Sequence, residues 1–122
     1  MTILDKYLNE SAKAANSESY DVVSYNAVGT SVLSIYITDT VLPGEIGTRG
    51  LLTGSRIGAG LQYSYLRTSA DVVGTAGDDI KGVGLFDAST AGGMYIEAAV
   101  SGLVQTTNFD VEFVHNITYV RK

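Results

Sequence analysis

From Phe109 to Val120 the chain alternates with period two: Phe109, Val111, Phe113, His115, Ile117 and Tyr119 share one face, and Asp110, Glu112, Val114, Asn116, Thr118 and Val120 share the other. A helix repeats every 3.6 residues and a strand every two, so this segment is predicted as a strand with one buried face. The same period recurs upstream. Leu61–Arg67 places Leu61, Tyr63 and Tyr65 together. Ser31–Thr38 places Leu33, Ile35 and Ile37 together, and is expected to form a hairpin with Tyr20–Asn26 around Ala27-Val28-Gly29-Thr30.

Three further strands are expected: a short one at Ser69–Gly74, then Ile80–Phe86 and Met94–Val100, with turns at Thr75–Asp79 and Asp87–Gly93. In Ile80–Phe86, Gly82 and Gly84 fall on one face, where another group can approach closely. Residues 3–15 instead carry Ile3, Leu4, Tyr7, Leu8, Ala12 and Ala15 at helical spacing, and Thr2 with Asp5 resembles a capping box. A helix this short needs a docking surface, either its own sheet or a neighbouring subunit.

Residues 39–60 hold the single proline, Pro43, and six of the 14 glycines: Gly44, Gly47, Gly50, Gly54, Gly58 and Gly60. The stretch reads as an extended Gly-rich loop carrying Arg49 and Arg56, with Leu51, Leu52 and Ile57 among the glycines. Loops of this length are often functional. The expected architecture is therefore mainly β, an antiparallel β-sandwich or jelly-roll-like barrel with one short N-terminal helix. The division is an N-terminal helix or arm at 1–18 and one β domain at 19–122.

A chain of 122 residues can bury a core without staples. The absence of cysteine removes disulfides, thiolate metal sites and cysteine nucleophiles. A net charge of -5 with scattered basic residues argues against nucleic acid, since phosphate binding rests on clustered Lys and Arg. No apolar run reaches the roughly 18–20 residues of a membrane span. No basic segment followed by an apolar one opens the chain, so a soluble chain starting near Met1, without a secretory leader, is expected.

Little in the sequence points to catalysis. His115 is the sole histidine and lies on a strand face. Asp78, Asp79 and Asp87 sit in turns, where Asp bonds its own backbone, and no EF-hand-like loop surrounds them. The glycines lack the Gly-Lys-Ser/Thr ending of a phosphate loop. Neither a cofactor, nor a metal, nor an enzymatic activity is expected. Tyrosine is the dominant aromatic, with eight copies and no tryptophan. Tyr suits interfaces and half-buried sheet faces alike.

Gly84-Leu85-Phe86-Asp87-Ala88 followed by Gly92-Gly93, within residues 79–101, resembles a hairpin of small virion structural proteins of tailed bacteriophages. Lys6-Tyr7-Leu8-Asn9-Glu10 is similar to the short helix that opens such chains. Members often carry a Trp before the motif, and this chain has none. Within the hairpin, Asp87 is expected to bond back to turn amides, and Gly92 and Gly93 to supply positive φ.

The resemblance implies a non-enzymatic protein present in many copies on a virion, made in the host cytoplasm. Its partners would be copies of itself and other virion proteins. Capsid decoration or cementing is one expectation, and a trimeric tail or tail-fibre component is another. A carbohydrate-binding sandwich using Tyr63, Tyr65 or Tyr95 is the third. Candidate partner contacts are Tyr7, Leu8, Arg49, Leu51, Leu52, Arg56, Tyr63 and Tyr65.

Overall fold

The computed structural model describes residues 1–19, 21–58 and 60–119. Tyr20, at the start of one expected strand, Ala59, in the Gly-rich stretch, and Val120, at the end of the last strand, lie outside the described residues. The chain forms β1 (Thr2–Ile3), α1 (Asp5–Ala15), β2 (Tyr25–Gly29), β3 (Glu45–Leu51), β4 (Thr53–Ile57) and β5 (Gly60–Arg67). A 3₁₀ turn (Ser69–Asp71) leads to β6 (Asp78–Phe86), β7 (Met94–Gln105) and β8 (Val111–Thr118). Two antiparallel sheets result, ordered β1-β7-β6-β2-β3 and β4-β5-β8. They form a sandwich-like pair and do not close into a barrel.

The alternation of β8 places Phe113, His115 and Ile117 inward. Phe113 packs with Val28, Ile80 and Val83 of the larger sheet. Ile117 packs with Leu85, Ile96 and Tyr95, and Tyr7 of α1 completes that cluster. The helix therefore docks on its own sheet. Its start differs from expectation. Thr2 and Ile3 pair with Glu97 and Ile96 of β7, and Leu4 caps the helix without a side-chain hydrogen bond. Leu4 is fully buried, so its burial on the sheet, not a Thr2 capping box, sets where the helix begins.

The expected first hairpin does not form. β2 runs through Ala27-Val28-Gly29, the proposed turn, and pairs with β3 and β6, which are distant in sequence. Residues 31–41 belong to neither sheet, although their alternation is strand-like. They lie over the outer face of the five-stranded sheet. Leu33 packs onto the bare backbone of Gly82, and Leu42 is buried with Leu4, Ala27, Phe86 and Met94. Tertiary burial of two leucines outweighs local strand propensity here.

The Gly-rich stretch is not a loop, because it contains β3 and β4. Its alternation is hidden because glycines occupy the positions that face tyrosines. A Cβ on Gly50 would fall inside the ring of Tyr65, and one on Gly54 would lie 3.3 Å from Tyr63 Cε1. Rings of β5 thus cover glycines of the neighbouring strands. Leu52 carries the chain from one sheet to the other, its amide bonded to the Ser24 carbonyl at 2.9 Å. The short strand expected at Ser69–Gly74 is a 3₁₀ turn, because Thr68 and Asp71 form a capping box there.

Candidate functional site

The buried polar groups serve mainly to hold the fold. Arg67 donates to Gln105 Oε1 at 2.6 Å, to Asp78 Oδ2 at 2.7 Å and to the Asp71 carbonyl at 2.9 Å. Asp78 also accepts from the amides of Val73 and Gly74. Burial pushes the Asp78 pKa up, but the two amides and Arg67 outweigh it and hold the carboxyl below its usual value. This network was not anticipated from sequence. Its one signal was a charged residue continuing the inward row Leu61, Tyr63, Tyr65.

The turn carboxylates are likewise engaged. Asp87 Oδ1 accepts from the Gly93 amide at 2.8 Å, as the motif implied. Gly92 has a φ of 75°, but the second left-handed residue is Ala91, at 51°, not Gly93. Gly93 instead lies under the Lys6 side chain, whose flexible end a Cβ there would displace. Asp78 and Asp79 lie not in the expected turn but at the start of β6, paired with Gln105 and Val104, and Asp79 is exposed and 3.5 Å from Lys81. Among the described residues no group of three or more His, Asp or Glu is placed to hold a metal ion. No helix among them is long and apolar enough to cross a membrane. His115 is buried opposite Tyr63, and its Nε2 has no partner. Burial, and then the N-terminal amino group, lower its pKa.

Two surfaces remain as candidates. The first is a cleft of about 220 Å³ between α1, residues 21–23 and the smaller sheet, with Tyr7, Tyr63, Tyr95 and Tyr119 on its walls and Glu10 and Asp21 beside them. The Tyr7 and Tyr119 hydroxyls are 2.7 Å apart, and the Tyr7 and Tyr95 rings meet edge to face at 6.2 Å. Burial raises the pKa of Tyr7, Tyr63 and Tyr95, so all three stay neutral across the physiological range. Glu10 is held ionised, its pKa lowered to about 2 by Lys6, the Asp21 amide and Lys13.

The second is the outer face of the smaller sheet. Its cross-strand rows are Thr53–Ser64–Val114 and Ser55–Gln62–Asn116, with Gln62 donating to Asn116 at 2.9 Å. Leu66 and Ile57 extend this face, and Glu112 is its one charge among the described strand residues. All five residues of β4 are exposed, including Gly54 and Arg56, which lie on the inward side. The strand therefore overhangs the core as a ledge, with Leu51 70 % exposed at its root.

The expected contact residues divide between these environments. Tyr7 and Tyr63 line the tyrosine cleft. Tyr65 covers Gly50 and donates to Asp71 at 3.3 Å, so it does not join Tyr63 and Tyr95. Arg49 lies across Phe86 on the opposite face of β3 from Gly50, with its side chain only 7 % exposed. Leu52 packs on the inter-sheet core. Leu8, Leu51 and Arg56 are exposed, and Arg56 donates to the Gly58 carbonyl.

No family model, curated protein or solved structure matches this chain.

Proposed function

We propose that this chain is a non-enzymatic structural protein of a tailed-bacteriophage virion, acting as a capsid decoration or cement protein. One observation carries the docking part of the reading. The outer face of β4-β5-β8 is uncovered and nearly uncharged, in a chain with 13 acidic and 8 basic residues. An uncharged face loses little on desolvation, and its Ser, Thr, Asn and Gln side chains offer hydrogen bonds to a partner. The β4 ledge adds Leu51, Ile57 and an unpaired strand edge, which suits β-strand addition. The particle itself is suggested by the hairpin of residues 84–93 and by the Lys6–Glu10 run. Binding to an assembled lattice would stabilise that lattice by mass action, with no chemical step.

Gold-labelled antibodies on purified particles test this reading. Label over the head supports decoration. Label on the tail moves the chain to the tail or fibre reading, and particles without label overturn both.

A second reading, glycan binding, draws on the half-buried Tyr63 sharing one cleft with the exposed Tyr119; Tyr95, expected as a stacking ring, is 2 % exposed and belongs to the core instead. A glycan array with no hits removes it.

A further inference from the structure

β8 pairs with β5 over eight consecutive residues, from Val111 against Arg67 to Thr118 against Gly60, with no register shift. Its other side has no strand neighbour among the described residues. Sheet edges are ordinarily shielded by Lys, Pro, bulges or short length, because an open edge pairs with other chains. The remaining edges of this fold are shielded in such ways. β1 is two residues long, and β4 is five residues long and carries Arg56. β3 shifts register against β2 and turns left-handed at Gly47. β7 shifts register twice against β6, turns left-handed at Gly102, and is covered by β1 at Ile96 and Glu97. β8 holds no Lys, Arg, Pro or Gly, so its outward backbone groups form an uninterrupted template for another strand.

The strand is also complementary to itself. When two copies pair antiparallel, inward residues must meet inward ones, because a slip of one residue sends the buried row to the outer face. With a two-fold axis at Val114, Val114 faces its own copy, Phe113 faces His115, Val111 faces Ile117 and Glu112 faces Asn116. The inward row is then continuous across the seam. Glu112, the only acidic side chain of the strand, meets an amide and not a second carboxylate. An axis at His115 would instead set two buried imidazoles against each other. The Val114 register also carries past the strand ends, where Phe109 of one copy comes opposite Tyr119 of the other. These two rings are 43 % and 55 % exposed in the single chain. Exposed aromatics at both ends of an open edge are side chains that such an interface covers.

We propose that the chain forms a two-fold dimer through β8, which fuses the two smaller sheets into one sheet ordered β4-β5-β8-β8-β5-β4. The partner is a second copy because this edge matches itself in charge and in its apolar row, as an isologous interface requires. The pairing uses the edge of the sheet and leaves its uncharged outer face free, now doubled in extent. It is therefore independent of the particle-binding reading and stands or falls separately from it.

Sedimentation equilibrium on the full chain, without particles, reads the association directly. Native protein should sediment at twice the 12.9 kDa of one chain at concentrations of about 100 µM. Val114→Lys sets two ammonium groups against each other at the axis, at a position 46 % exposed in the single chain. It should weaken association at least about tenfold while leaving the circular dichroism spectrum unchanged. A native chain that stays monomeric or forms larger species overturns the proposal, as does a folded Val114→Lys chain that dimerises equally well. If Val114→Lys does not fold, single cysteines read the register, in a chain that otherwise has none. Neighbouring strands lie about 4.8 Å apart, so the two copies of residue 114 are about 5 Å apart. The two copies of Ser64, its neighbour on β5, are about 14 Å apart. A thiol cross-linker spanning about 8 Å should join Val114→Cys chains and leave Ser64→Cys chains single. Equal linking of both variants, or of neither, overturns the proposal.

Discussion

The guanidinium of Arg49 lies over the ring of Phe86, its central carbon 3.6 Å from the ring centroid. The same side chain pairs with Glu45 and donates to the carbonyls of Ala88 and Ala91. One residue of β3 therefore holds the turn of the hairpin at residues 84–93. A desolvated cation–π contact contributes about 2 kcal/mol, whereas the half-exposed ion pair with Glu45 adds little. Arg49→Ala should cost about 2–3 kcal/mol in urea denaturation. Arg49→Lys should recover less than half of that, because an ammonium cannot stack and bridge two carbonyls at once. A lysine variant as stable as the native chain would contradict this role.

The pairing of Gly50 with Tyr65 gives a second expectation. Gly50→Ala drives a methyl group into the ring, an overpacking that typically costs about 1–3 kcal/mol. Adding Tyr65→Ala should remove most of that extra cost, since the clash and the ring disappear together. A double-mutant cycle with no coupling energy would show that the ring moves aside freely.

These two contacts also mark what the sequence did and did not disclose. β5, β6, β7 and β8 are legible because Tyr63, Tyr65, Ile80, Phe113 and Ile117 alternate with polar residues. β3 and β4 are not, because the residues facing Tyr65 and Tyr63 are Gly50 and Gly54, which carry no hydrophobic signal. Residues 31–38 mislead in the opposite sense: their alternation suits a strand, yet Leu33 and Leu42 are used to cover a sheet face. Of the candidate surfaces, the tyrosines were visible but not their grouping. The uncharged outer face needs the register of β4, β5 and β8, which periodicity alone cannot supply.

His115 should make stability fall on acidification. Its folded pKa is lowered from 6.5, so the unfolded chain takes up the proton first. The stability it contributes is complete above pH 6.5 and is lost as pH falls below that value toward the folded pKa. The loss approaches about 1.4 kcal/mol per pH unit within this window. Glu97 acts in the opposite direction, since its raised pKa favours the folded state between about 7 and 4.5 as pH falls. The informative quantity is therefore the difference in pH slope between the native chain and His115→Asn. The variant should lose stability less steeply between pH 7 and pH 5.5. Equal slopes would mean that the imidazole titrates normally in the fold.

Glu97→Gln should be more stable than the native chain at pH 8.5 and about equal to it at pH 5. The expected gain is on the order of 2 kcal/mol, because the amide has no proton to lose. Denaturant midpoints at the two pH values measure it, and a variant less stable at both would contradict the assignment.

The outer face of the smaller sheet is central to the proposed function, and charge is the simplest way to disable it. Gln62→Lys with Asn116→Lys places two cations side by side on adjacent strands, at exposed or half-exposed positions. Stability should change by about 0.5–1 kcal/mol, since like charges directly opposite repel. The decisive measurement is co-sedimentation of native and doubly substituted protein with purified particles stripped of this chain. The account predicts that the native protein pellets with the particles and the folded variant stays in solution. A native chain that stays in solution, or a folded variant that pellets equally well, would contradict it.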